Sequence, residues 1–230
     1  MLYFDPVYFV IVAPAILLGL WAQWRVHATY AQAMREPARL TGFEAAQRIL
    51  DDAGLRDVSI EEVPGHLSDH YDPQHRVVRL SSEVCHSRSL AAVGIAAHEV
   101  GHALQHAYGY APLALRSLAV PAAVAGSNFS LLLLIIGAVL TSKPLVLAGL
   151  LLFAGVVVFQ IVNLPVEFDA SRRAKAMLYQ LGIVDDQQAV MVSRVLDAAA
   201  LTYVAATLQA ILTLIYYVMR YGWVLNRSDD

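Results

Sequence analysis

Four apolar stretches, residues 7–24, 118–140, 145–162 and 198–221, constrain this chain more than anything else in it. Each approaches or reaches the roughly 20 residues that a helix needs to cross a bilayer. Apart from Arg220 near the end of the last, none carries Lys, Arg, Asp or Glu away from its edges. The composition is 58% hydrophobic and 15% charged, with mean hydropathy +0.54, and 230 residues are too few to wrap four such segments in a soluble core. The expected fold is therefore mainly α and membrane-bound, with about four transmembrane helices. Trp21, Trp24, Tyr216, Tyr217, Tyr221 and Trp223 cluster near span ends, as interfacial anchors do. The first span has Asp5 rather than a basic stretch ahead of it and no small-residue cleavage site behind it, so it reads as retained.

Positive charge divides unevenly between the two sides. Of the 16 Lys and Arg residues, thirteen fall between spans one and two or between spans three and four; only Lys143, Arg220 and Arg227 fall on the other side. The positive-inside rule places the two larger loops in the cytoplasm. Cys85 is the only cysteine, so no internal disulfide forms, which fits that face. A net charge of −3 with no basic stripe gives no reason to propose a nucleic-acid partner. A hairpin of two spans around Thr141-Ser142-Lys143-Pro144 returns the chain to the same face just before Asn163.

Between the first two spans lies His98-Glu99-Val100-Gly101-His102. On a helix, positions four apart share a face, so His98 and His102 offer two imidazoles to one zinc ion with Glu99 beside it as a base. The surrounding helix, residues 89–104, is apolar and rich in small residues and is expected to be buried. Two histidines and a carboxylate are costly there unless a metal compensates them. Ahead of it, Thr41-Gly42-Phe43-Glu44 reads as a capping box, opening a helix over residues 43–53 with Phe43, Ala46, Ile49, Leu50 and Ala53 inward and a stop at Gly54. Residues 58–63 alternate like a strand; residues 66–71 and 76–80 read as a hairpin around Asp72-Pro73-Gln74-His75, giving a small antiparallel sheet.

A catalytic zinc usually takes three protein ligands and keeps one position open. His106 continues the spacing, but eight residues of unbroken helix rise about 12 Å, too far for one ion. Glu167, in Leu164-Pro165-Val166-Glu167-Phe168-Asp169-Ala170-Ser171, is the better third ligand: Pro165 favours a helix start or kink, and Glu167 returns on the same side of the membrane. Asp169 competes for the metal, but stands about 200° around the helix from Glu167. Ser171 shares the Glu167 face and is a candidate hydrogen-bond partner for the site.

With both segments in hand, together with Asp5-Pro6, Asp69-His70-Tyr71-Asp72-Pro73 and Arg76-Val77-Val78-Arg79-Leu80-Ser81, the chain resembles the bacterial membrane zinc metallopeptidases of the YugP-like kind over nearly its whole length. More distantly it is similar to the gluzincin membrane proteases that include HtpX and the CAAX prenyl proteases, which often carry an aspartate four residues after the third ligand. Ser171 stands at that position here. The resemblance implies a small α+β zincin-like (gluzincin) catalytic domain, zinc held by His98, His102 and Glu167, and Glu99 moving a proton from water to the leaving amine. It also implies a protein or peptide substrate and a place in the bacterial inner membrane, where the positive-inside count turns the site towards the cytoplasm. Tyr71, His70, Asn163, Arg172 and Arg173 all remain candidates for steadying the oxyanion.

The expected organisation is a first transmembrane helix (1–26), a catalytic domain with the HExxH helix (27–112), a two-span hairpin (113–163), a helical segment with the third ligand (164–197), and a last transmembrane helix and tail (198–230). Two other function classes compete with the peptidase. A non-catalytic zinc-stabilised membrane scaffold or sensor would not need Glu99, and a transporter or channel would place ionisable groups within its spans.

Overall fold

Inside a bilayer a backbone has no water to bond to, so long apolar runs must satisfy themselves as helices. The computed structural model describes residues 5–226; residues 1–4 and 227–230, the outer ends of the first and last expected segments, and with them Arg227, lie outside the described residues. In chain order the elements are α1 (Pro6–Ala33), α2 (Gly42–Asp52), β1 (Ser59–Val63), β2 (His70–Asp72), β3 (Val77–Ser81), α3 (Ser82–His86), α4 (Leu90–Ala107), α5 (Ala111–Val139), α6 (Lys143–Gln180) and α7 (Asp186–Tyr221), then a 3₁₀ turn at Gly222–Val224. Helices α1, α5, α6 and α7 are each long and apolar enough to cross a membrane. The fold is mainly α with a small sheet, as expected.

Pro165 starts no new helix: α6 runs unbroken through it, so the third span and the Glu167 segment are one 38-residue helix. Pro14 and Pro121 likewise sit inside α1 and α5, consistent with the tolerance of proline in membrane helices, where neighbouring groups take up the freed carbonyl.

The chain divides into two compact units, one made of the chain up to Trp21, Ala114–Leu164 and the chain from Thr202, the other of Ala22–Leu113 and Pro165–Leu201. In the first, α5 and α6 meet through small residues, as membrane helices do. A Cβ on Gly126 would run into the Leu152 carbonyl, and one on Gly149 would stand 2.9 Å from the Ser130 carbonyl oxygen. The ends of α1 and α7 are tied by Asp5, which accepts a hydrogen bond from the Tyr216 hydroxyl at 2.7 Å. Tyr216 is therefore buried, at 8% exposure, and stacks edge-on with Tyr8; it is a helix tie, not the interfacial anchor expected of it.

The second unit holds the sheet and α4. Its core joins Ile49 and Leu50 of α2, Val78 and Leu80 of β3, Val93 and Val100 of α4 and Leu178 of α6. Thr41 and Glu44 form the expected capping box, at 3.1 Å and 2.8 Å. Phe43 does not face inward as expected: it is 40% exposed, and the buried edge of α2 is Gly42, Ala45, Ala46, Ile49 and Leu50. The reason is tight packing, since even a Cβ at Gly42 would strike the Val84 carbonyl.

The sheet also departs from the expectation. Its order is β1-β3-β2, with β2 antiparallel to β3 but β1 parallel to it, Ser59 opposite Val77 through Val63 opposite Ser81. The strand with the most buried side chains, β3 (Val77, Val78, Leu80, Ser81), takes the centre, and the two more polar strands take the edges. The hairpin turn falls where expected: Asp72 accepts from the backbone N–H groups of Gln74 and His75, at 2.9 Å and 3.2 Å, and bonds Arg79 at 2.6 Å.

Candidate metal centre

α4 starts at Ser89, whose hydroxyl accepts the Ala92 N–H at 3.2 Å, and from there a 3.6-residue repeat sends His98 and His102 to one face. Their rings lie edge to face with centroids 4.9 Å apart. Val100, Ala103 and Leu104, around and beyond them, are buried in the core.

The part of α6 that follows Pro165 meets α4 at Gly101. A Cβ there would stand 2.5 Å from the Ala170 carbonyl oxygen and 3.1 Å from its carbonyl carbon, so only glycine allows the two backbones so near. This contact lies between the two histidines in sequence and three residues beyond Glu167. It sets the Glu167 carboxylate 3.3 Å from His98 Nε2 and 3.7 Å from His102 Nε2. One ligand atom from each of the three residues lies within 4.8 Å of the others. His102 and Glu167 are buried, at 7% and 3% exposure.

Both imidazoles are held from behind. His98 Nδ1 lies 3.1 Å from Ser171 Oγ, so Ser171 occupies the partner position anticipated for it. His102 Nδ1 lies 3.0 Å from Gln105 Oε1. The Gln105 amide nitrogen donates to the Val166 carbonyl at 2.7 Å and to Asp169 at 3.0 Å, and Asp169 in turn bonds Arg172 and Arg173. Asp169 thus faces away from the three converging groups, as its angular position required.

Glu99 is next to His98 and is buried, at 8% exposure. Burial pushes its carboxyl up to about 7; nearby Glu167 and Asp69 push the same way, while His98 and His70 favour the anion. His106 is not in the group: its Nδ1 bonds the Tyr71 hydroxyl at 2.8 Å, a structural pairing. Of the residues considered for the oxyanion, Tyr71 is taken by His106, Arg172 and Arg173 by Asp169, and His70 Nδ1 by the Ser68 carbonyl. Asn163 is buried in the first unit, and its Oδ1 has no hydrogen-bond partner among the described residues.

The donor set fits zinc on its own chemistry. Two imidazoles that each present Nε2, plus one carboxylate, match a catalytic rather than a closed structural site. A second convergence, of Glu62, Cys85 and His86, is already satisfied, since Ser82 takes one Glu62 oxygen and His86 the other at 2.9 Å. Sequence reasoning missed Gln105 and the close approach at Gly101. For Gly101 the signal was a glycine inside a helix expected to be buried; for Gln105 it was only a polar residue three positions after a ligand, whose full burial the fold reveals.

The model of a family described as "Putative neutral zinc metallopeptidase" matches residues 8–222. A protein of Bacillus subtilis (strain 168) named "Putative membrane protease YugP" is 44% identical over 218 residues, which covers 94% of this chain and 96% of the relative. No solved structure matches the chain.

Proposed function

The chain belongs to that zinc metallopeptidase family, and from this premise we propose that it is a membrane-embedded zinc endopeptidase. His98, His102 and Glu167 hold the ion, and Glu99 is the general base. The observation that carries the reading is the Glu167 carboxylate within 3.3 Å and 3.7 Å of the two histidine Nε2 atoms, from a helix 65 residues further along the chain. Zinc in such a site supplies Lewis acidity for the scissile carbonyl and lowers the pKa of bound water towards about 7.

The protein's own residues do the rest. A Glu99 carboxylate oxygen takes a proton from the attacking water, and the same group delivers it to the leaving amine nitrogen as the peptide bond breaks. Its burial keeps the proton within the site between those two events. Ser171 and Gln105 hold the rings that present the metal-binding nitrogens. The substrate is an extended protein or peptide segment reaching the membrane surface.

The site faces the cytoplasm of the bacterial inner membrane in this reading, because the two segments that carry the ligands also hold thirteen of the 16 Lys and Arg residues. To test the function, wild type, Glu99→Gln and Glu167→Ala would be purified in detergent and assayed for bound zinc and for cleavage of an unfolded protein. Zinc retained with cleavage lost in Glu99→Gln, and zinc weakened in Glu167→Ala, is expected. Equal cleavage by Glu99→Gln and wild type would leave a zinc-stabilised scaffold or sensor as the better account.

A further inference from the structure

The two histidines are not held alike. Ser171 Oγ, 3.1 Å from His98 Nδ1, is a hydroxyl that can donate or accept, so it tolerates either tautomer of that ring. Gln105, with no solvent exposure, has no such freedom. Its amide nitrogen has two hydrogens, and both are directed at groups that only accept: the Val166 carbonyl at 2.7 Å and the Asp169 carboxylate at 3.0 Å. Flipping the amide would set its oxygen against two oxygens in a buried site, which is unfavourable. The amide oxygen is therefore fixed opposite His102 Nδ1 at 3.0 Å, where it accepts but cannot donate.

We propose that Gln105 is a positioning residue that fixes the tautomer of His102, with Asp169 as the anchor that fixes Gln105. Nδ1 of His102 carries the proton, and Nε2 keeps its lone pair on the side of Glu167. Arg172 bonds the other Asp169 oxygen, Oδ1, and Arg173 shares Oδ2 with Gln105, so four side chains outside the ligand set serve one ring nitrogen. Asp169 is thereby drawn into the site it does not touch. It stands two residues from Glu167 on α6, so one helix supplies both a ligand to the metal and the anchor for another ligand on α4. This inference rests on the zinc reading above and adds the outer residues to it.

The test uses zinc and cobalt alone, titrated into the full-length detergent-solubilised protein with a competing chelator. Gln105→Leu keeps the volume but removes the acceptor, and zinc affinity is expected to fall about 10- to 100-fold, the usual cost of removing such a partner. The visible spectrum of the cobalt form should shift as the ring loses its fixed orientation. Gln105→Glu alone sets two carboxylates together and should also weaken binding. Combined with Asp169→Asn, the new carboxyl in its neutral form accepts from His102 with one oxygen, while its hydroxyl donates to the Val166 carbonyl and accepts from the amide at position 169, so the pair should recover part of the affinity and the wild-type cobalt spectrum.

Wild-type zinc affinity and an unchanged cobalt spectrum in Gln105→Leu would overturn the inference while leaving the zinc site intact. Absence of zinc from wild type itself would instead overturn the site. If Gln105→Leu lowers the thermal midpoint of the metal-free protein, the paired substitution decides: recovered affinity supports positioning, and no recovery of affinity or spectrum contradicts it.

Discussion

Replacing Gly101 with alanine adds a single methyl group where the backbone of α6 lies directly against α4. Two effects oppose each other. Alanine favours the helix by about 1 kcal/mol over glycine. Against this, the new Cβ would lie 2.5 Å from the Ala170 carbonyl oxygen, and that atom is backbone in the middle of a helix and cannot rotate away. A carbon and an oxygen come into easy contact at about 3.3 Å, so the helices must part by about 0.8 Å. Overpacking of this kind costs about 1–3 kcal/mol, so the net change in fold stability runs from near neutral to about 2 kcal/mol unfavourable.

The larger effect is expected on the metal. Ligand distances must hold to within about 0.2 Å, and a separation of about 0.8 Å moves Glu167 away from both histidines. Gly101→Ala should therefore lose zinc affinity by more than tenfold while the metal-free fold loses no more than about 2 kcal/mol. Chelator competition gives the first quantity and a melting curve of the metal-free protein the second. Zinc affinity within twofold of wild type would refute the reasoning, because it would mean that the close approach does not set the position of Glu167.

Gly94, on the same helix, is the contrast: its Cβ would meet the Val192 Cγ1 methyl at 3.1 Å, a side chain that can shift by tenths of an ångström, so Gly94→Ala should keep zinc affinity near wild type. In Glu99→Gln, turnover of an unfolded protein should drop by about 10²- to 10⁴-fold at unchanged zinc stoichiometry, which parallel metal analysis and cleavage assays would check. His106→Ala should keep one zinc per chain and lose only the Tyr71 contact, lowering stability by about 1 kcal/mol in a denaturant titration; loss of zinc would make His106 a ligand after all. Stripping zinc with a chelator should lower the thermal midpoint, and the drop should grow with the zinc concentration used for the loaded sample, since a ligand bound only by the native state stabilises by mass action.

What could be read from the residues alone divides along the range of the interactions involved. Thr41 and Glu44 declare the start of α2 because a capping box closes within four residues. The apolar runs declare four long helices because their length is set by the bilayer and not by tertiary neighbours. His98 and His102 are legible as a pair because one helical turn already fixes their shared face, with Glu99 adjacent to it. Glu167 could be reached by arguing from ligand number and membrane side, and its carboxylate lies beside both histidines.

Other features depend on partners that spacing does not name. The place of β3 at the centre of the sheet follows its more buried side chains, and the parallel direction of β1 against it is set by the path of the chain between them. The exposure of Phe43 follows from how closely α2 packs at Gly42. Pro165 reads as a helix start or kink because its local preference is real, and α6 continues through it without a break. Gln105 has one partner on its own helix and two on α6, so only the fold shows that its amide is fixed.

The central claim is that one zinc ion is held by His98, His102 and Glu167. X-ray absorption at the zinc edge of the purified wild-type protein tests it most directly. The account predicts one zinc per chain, scattering from two imidazoles and oxygen at about 2.0–2.2 Å, and no sulfur. A zinc–sulfur distance of about 2.3 Å would contradict it, since it would move the metal to Cys85, the chain's only cysteine.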